Sequence, residues 1–259
     1  METIVLEKNG PIYKLTLNRP DVRNAFNEKM IAELTTTFKN LEQDENGRVL
    51  IIKGEGESFC AGADLNWMKS MAEYTQQENY KDSDQLFEMF VSLEKLPMPV
   101  VGQVHGHVFG GALGLVACCD IVAAVDETKF CFSEVRLGLA PAVISSFVAK
   151  KMSRTQIHRW FLTGEVFESS QALEMGFIHF SDSKKKVHRF VEEITQQMSH
   201  NGPKAVRETK KLIQDLYSHQ KDIRSRSVQL IADLRVSSEG QEGLKSFFEK
   251  RKPQWKLSQ

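Results

Sequence analysis

Two small-residue turns, each running into a helical pattern, constrain this chain most. They are Phe59-Cys60-Ala61-Gly62-Ala63-Asp64-Leu65 and His105-Gly106-His107-Val108-Phe109-Gly110-Gly111-Ala112. Small side chains let the backbone approach a neighbour or a ligand closely, and the first amides of a helix have no partner within it. Two such turns can aim two N–H groups at one point, an arrangement that stabilises an oxyanion.

The segments around these turns read as alternating strands and helices. Residues 3–7 and 11–17 flank Asn9-Gly10 as paired strands around a hairpin turn. Asn27 starts an amphipathic helix to about Lys39, with Met30, Ile31, Leu34 and Phe38 on one face. Val49–Lys53 is a short apolar strand, Leu65–Lys81 a polar segment read as a mobile helix or lid, and Gln85–Leu96 a helix stopped by Pro97. Pro99–Val104, Asp120–Val125 and Lys129–Phe132 read as further strands. The apolar run Val108–Cys119 reads as a buried helix, short of the ~20 residues a bilayer needs. This alternation argues for stacked right-handed βαβ units.

From Ser145 onward the expectation is mostly helical, with helices near 203–217, 222–236 and 239–251. A composition shift near residue 195 divides a core of 1–195 from a helical region of 196–259. Lys184-Lys185-Lys186 reads as a solvated surface turn.

Composition narrows the classes of partner. A chain of 259 residues with 41% hydrophobic side chains can build a substantial core. Lys+Arg and Asp+Glu number 34 each, which argues against nucleic acid as main ligand and against a membrane-surface role. The first residues lack a basic stretch followed by an apolar one, so a cytoplasmic location is expected. Cys60, Cys118, Cys119 and Cys131 form no CxxC pair and read as reduced core thiols. His105 and His107 share a face but have no third ligand nearby in sequence, so no metal is expected.

Phe132-Ser133-Glu134-Val135-Arg136-Leu137-Gly138-Leu139-Ala140-Pro141 follows a strand in an apolar stretch. A carboxylate there has a raised pKa, suited to proton transfer near neutral pH. Together with the two turns, in this order, it resembles the crotonase (enoyl-CoA hydratase/isomerase) superfamily, from Leu17 to Lys252. The resemblance implies an α/β fold of the ClpP/crotonase-like type: a ββα spiral core with a C-terminal helical trimerisation region. It implies a homotrimer, or a hexamer of two trimers, acting on an acyl-CoA substrate without a separate cofactor.

The resemblance also assigns roles. Ala63 and Gly111 donate amides to the thioester carbonyl, and Glu134 is the acid/base. Arg23, within Asn18-Arg19-Pro20-Asp21-Val22-Arg23-Asn24-Ala25, reaches the CoA phosphates, and the carbonyl of Ala61 faces the adenine amine. Phe247 and Lys250 help cover CoA, sometimes from a neighbouring subunit. Asp64, Leu65, Gly110 and Gly114 complete the expected substrate contacts.

Two departures from the family pattern bear on chemistry. Two-carboxylate hydratases carry a Glu where this chain has Gly114, and Pro141-Ala142-Val143-Ile144-Ser145 stands in for a glycine-rich stretch, which should reshape the acyl pocket. Trp67, Met71, the loop around Tyr80 and Val143–Phe147 should shape that pocket too. The motifs look most like bacterial methylglutaconyl-CoA hydratase-type proteins of leucine or isoprenoid degradation. For such a substrate, Arg136 is the candidate counter-ion of the distal carboxylate. The expected reaction is reversible addition of water across C2–C3, with Glu134 deprotonating the water and returning a proton to C2. Two alternatives stand beside it: a Δ3,Δ2-enoyl-CoA isomerase using Glu134 alone, and a non-catalytic acyl-CoA-binding relative.

Overall fold

The computed structural model describes residues 1–217 and 237–255, together with Gln229, Ile231, Asp233 and Leu234. Strands β1 (Ile4–Asn9) and β2 (Ile12–Leu17) form the expected hairpin, with Gly10 at φ 62°. β3 (Val49–Gly54), β4 (Val100–Val104), β5 (His107–Phe109), β6 (Ile121–Val125), β7 (Lys129–Cys131), β8 (Phe167–Glu168) and β9 (Phe180–Asp182) follow. They form a six-stranded sheet, β1-β2-β3-β4-β6-β9, parallel beyond the hairpin, and a three-stranded sheet, β5-β7-β8.

The helices are α1 (Glu28–Glu42), α2 (Leu65–Glu73), α3 (Gln76–Glu94), α4 (Ala112–Cys118), α5 (Ala142–Val148), α6 (Arg154–Thr163), α7 (Ser169–Glu174), α8 (Lys184–Ser199), α9 (Pro203–Tyr217) and α10 (Ser238–Phe248). Parallel neighbours need a crossover, and α1 supplies it between β2 and β3, α2 and α3 between β3 and β4. The large sheet is covered on both faces, which is why β3 is an unbroken apolar run. Its Leu50 and Ile52 join the main core with Met30, Leu34 and Phe38 of α1. Val49 and Ile51 point the other way, to Val101, Ala123 and, from α8, Val187 and Val191.

Three readings of the sequence need correction, and the mostly helical stretch beyond Ser145 needs an addition. Val108–Cys119 is not one helix: Val108 and Phe109 pair with Phe130 and Cys131 in a sheet, and Gly110, at φ 53°, turns the chain into α4. The second helix starts at Gln76 rather than Gln85, because Thr75 and Glu78 form a reciprocal capping box there. Lys184–Lys186 form the exposed first turn of α8, whose Val187 and Val191 are buried one turn apart. The stretch beyond Ser145 also supplies β8 and β9, short edge strands that residues flanking α7 add to each sheet.

The helix expected at 203–217 is α9, and that expected at 239–251 is α10; the one expected over 222–236 lies largely outside the described residues. No helix among the described residues is long and apolar enough to cross a membrane.

Polar anchors tie α9 to the core. Lys210 Nζ donates to Asp120 Oδ2 at 2.7 Å and to the Met98 carbonyl at 3.0 Å, and Arg207 donates to the carbonyls of Asp44 and Gly47. Asp120 Oδ2 also accepts from the Val100 amide, so one carboxylate joins α9 to the start of β4. The Lys210 side chain is 8% exposed and that of Asp120 34%, so removing the ammonium leaves a half-buried charge unpaired. Lys210→Met is expected to lower unfolding free energy by about 2 kcal/mol, below the range for a fully buried pair, as read by urea denaturation.

Candidate active site

The two turns lie side by side. Phe59 N–H donates to His105 O at 2.8 Å, Cys60 N–H to His107 O at 3.1 Å, and Phe109 N–H to Cys60 O at 3.2 Å. A parallel bridge between Cys60 and Val108 results. Gly62 sits at φ +96°, and a Cβ there would lie 3.0 Å from the Phe109 carbonyl, so both conformation and closeness require glycine. On the other flank Phe26 N–H donates to Gly62 O at 2.7 Å and Asp64 N–H to Phe26 O at 2.8 Å. Parallel bridging uses the groups on either side of Ala63. The Ala63 amide is left without an acceptor among the described residues.

The second turn is fixed from the opposite side. Gly110 N–H donates to Cys131 O at 2.9 Å, and the Leu113 and Gly114 amides close the first turn of α4 onto the carbonyls of Gly110 and Gly111. The Gly111 amide likewise has no acceptor among the described residues. A Cβ on Gly111 would meet the Phe26 ring at 3.4 Å.

Ala63 and Gly111, the residues with the free amides, both line one cleft of ≈ 170 Å³, and Glu134 lines it too. Glu134 enters on the 3-10 turn Ser133–Leu137, directly after β7, and Leu139 N–H closes the turn onto its carbonyl at 3.0 Å. Its Oε2 is buried with no hydrogen-bond partner among the described residues. Burial pushes this carboxyl above the ordinary range. Gly110 packs beside it, since a Cβ there would lie 3.6 Å from Oε1. Ala63, Gly111 and Glu134, distant in sequence, thus meet at one place.

The other expected contacts divide. Ala61 and Arg23 are neighbours, because Ala61 N–H donates to Arg23 O at 3.0 Å, and Arg23 is exposed with φ 52°. Asp64 is occupied structurally: it caps α2 through the Asn66 amide and pairs with Arg19 at 2.8 Å. Burial pushes the Asp64 carboxyl up, but Arg19 and the helix amides outweigh this and hold it below the usual range. Leu65 is exposed in the first turn of α2. Phe247 and Lys250 are exposed at the end of α10, and the Phe247 ring meets Phe248.

Two residues lie elsewhere than expected. Gly114 does not line the cleft: it is buried in α4, where a Cβ would sit 2.6 Å from the Phe90 ring and 2.7 Å from Ile144. Arg136 is exposed and packs its stem toward Gly164, outside the cleft lining, so among the described residues no cation lines the cleft for a distal carboxylate. Cys60 is inert, its thiol pushed up to about 12 by burial. His107 contacts Ser58 Oγ through Nδ1 at 3.1 Å, and His105 the Gly56 carbonyl through Nε2 at 2.9 Å.

Trp67, Met71, Val143 and Ile144 line the cleft as expected, whereas Tyr80 is exposed and outside it. Asp82 is the charged one of the lining residues that the sequence reading passed over, the others being Phe26, Ser83 and Leu86. Its signal was present: Asp82, Leu86, Phe90 and Leu93 fall on one stripe of α3, three and four residues apart, once the helix starts at Gln76.

Comparison with known proteins places the chain in a family. Residues 7–258 match the family model described as enoyl-CoA hydratase/isomerase. The chain belongs to the enoyl-CoA hydratase/isomerase family. A crystal structure of an enoyl-CoA hydratase from Shewanella pealeana is 37% identical, with TM-score 0.93 over 98% of this chain and 96% of that one. Pseudomonas aeruginosa AtuE is 30% identical, with TM-score 0.95 over 98% and 99%. An enoyl-CoA isomerase/hydratase of Mycosarcoma maydis is 31% identical over 93% of this chain and 91% of its own. The fold is the crotonase fold, with a helical C-terminal region.

For a member of this family, the filled space at Gly114 has a direct consequence. Installing the missing carboxylate by Gly114→Glu forces overpacking and buries an unpaired acid. The variant is expected to lose at least about 3 kcal/mol of stability without gaining hydration rate. Chemical denaturation beside a crotonyl-CoA hydration assay checks both.

Proposed function

We propose that this protein catalyses reversible addition of water to the C2–C3 double bond of an enoyl-CoA thioester. One observation carries the reading: Glu134, whose buried Oε2 has no hydrogen-bond partner among the described residues, shares a cleft with Ala63 and Gly111, whose amides have no acceptor there. The thioester carbonyl accepts from both amides, and negative charge grows on its oxygen as water adds to C3. Glu134 takes the water proton and delivers a proton to C2. Each amide contributes about 10²–10³ in rate. The acyl-CoA is the substrate, and the reaction needs no further cofactor.

Family relationship supports the reaction class, and the cleft supports the acyl class. Its charged lining residues are Asp82 and Glu134, both acidic, amid Phe26, Trp67, Met71, Leu86, Val143 and Ile144. An uncharged acyl group suits this lining better than the branched dicarboxylic group of 3-methylglutaconyl-CoA, for which Arg136 was to supply the cation. A Δ3,Δ2-enoyl-CoA isomerase is the second reading. It is favoured by the single carboxylate left beside the amides once Phe90 and Ile144 fill the space at Gly114, and one relative is named for both activities.

Residues 196–259 are proposed to mediate association into a trimer or a pair of trimers. Ile213 and Leu216 of α9 and Phe247 and Phe248 of α10 present exposed apolar surface for it. The four buried free thiols fit a cytoplasmic location.

Incubation with crotonyl-CoA, 3-methylglutaconyl-CoA and 3-hexenoyl-CoA, with products read by mass, tests the reading. A gain of one water on crotonyl-CoA is expected; double-bond migration in 3-hexenoyl-CoA without hydration would overturn it in favour of the isomerase. Glu134→Gln should lower kcat by ~10²–10⁴ while acyl-CoA still binds.

The pH profile supplies a further check. The reaction starts from ionised Glu134, and burial raises its pKa, so it protonates at a higher pH than an ordinary carboxylate as the solution is acidified. The acid limb of kcat/KM should therefore lie above the usual carboxylate range and vanish in Glu134→Gln.

A further inference from the structure

Asp82 is a carboxylate on the core-facing stripe of α3, one turn before Leu86 and two before Phe90. It is held rather than free to swing out. Trp67 of α2 is 6% exposed, and its Nε1–H donates to Asp82 Oδ1 at 3.1 Å. Oδ2 has no donor among the described residues, and no cation there pairs with this side chain. Burial raises the Asp82 carboxyl above its ordinary range, with Glu28 adding to the effect. Apart from Ser83 and Glu134, the other residues lining the cleft are apolar. α3 supplies neither free amide nor the acid/base; its Asp82, Ser83 and Leu86 line the same cleft and offer a wall that an acyl chain can meet.

We propose that Asp82, held by Trp67, is the specificity-determining residue at the acyl end of the cleft, favouring chains with a hydroxyl donor and rejecting chains that end in a carboxylate. The inference rests on the enoyl-CoA reading above and deepens it. A hydroxyl reaching Oδ2 forms a charge-assisted hydrogen bond, whereas a methyl terminus lying there displaces water from that oxygen and gives it no donor in return. A terminal carboxylate meets a like charge with no cation between them.

Binding of saturated thioesters tests this without turnover. Butyryl-, hexanoyl- and octanoyl-CoA, each with its ω-hydroxy and ω-carboxy counterpart, are titrated calorimetrically into the wild-type protein, Asp82→Asn and Asp82→Leu. At the chain length that reaches Asp82, the wild type should prefer the ω-hydroxy form over the methyl form by roughly ten- to a hundredfold. The ω-carboxy form should bind weakest. Asp82→Leu should remove the hydroxyl preference. Asp82→Asn, which preserves shape, should keep part of it and relieve the discrimination against the carboxylate.

A purely structural role for Asp82 would weaken all thioesters together. An unchanged ranking in the soluble variants, or a wild-type preference for the ω-carboxy form, overturns the proposal. Failure of every thioester to bind overturns the enoyl-CoA reading itself.

Discussion

The bridge between Cys60 and Val108 is the contact on which the site depends. It holds two segments almost fifty residues apart in register, so that one amide from each turn opens onto one cleft. Every other tie extends from it. Phe26 fixes the outer edge of the first turn through both its backbone groups and lays its ring against Gly111 in the second. Cys131 fixes the second turn through the Gly110 amide, and the chain then needs only three residues to deliver Glu134. Donors and acid are therefore positioned by one continuous set of backbone hydrogen bonds. Such preorganisation is what electrostatic stabilisation of a developing charge demands, since the donors need not reorient during reaction.

The charged groups fall into two kinds, set apart by their partners. Asp64 and Asp120 are engaged by Arg19, Lys210 and backbone amides, and they hold structure together. Glu134 and Asp82 lack cationic partners among the described residues and line the cleft. Burial acts on Asp64 as it does on Glu134 and Asp82, but only the latter two are left with raised basicity. Chemistry of the buried acid in this molecule follows from what was not placed beside it.

Much of this was legible in the sequence because it is local or periodic. The hairpin at Asn9-Gly10, the apolar run of β3 and the Asn27 cap of α1 follow from residues a few positions apart. The two glycine turns were legible because close approach permits few side chains. What was not legible depends on distant neighbours. Val108 and Phe109 look helical by composition and become a strand because Phe130 and Cys131 offer an edge. Arg136 is near Glu134 in sequence, yet the 3-10 turn sends the two side chains to different surroundings. Asp82 was hidden by a misplaced helix start, since a stripe is visible only when its helix is phased correctly.

The packing around Gly114 also bears on how this chain can change over generations. Phe90 and Ile144 occupy the volume a side chain at 114 would need, and each is itself part of the main core. A second carboxylate can be acquired only if both shrink first, and each shrinkage alone opens a cavity in the core. The three positions are thus epistatically locked. Selection for altered chemistry in this lineage meets a valley at residue 114 and finds smoother ground at Asp82 and Ser83 of α3 and Ala142 of α5, which line the cleft without belonging to the main core.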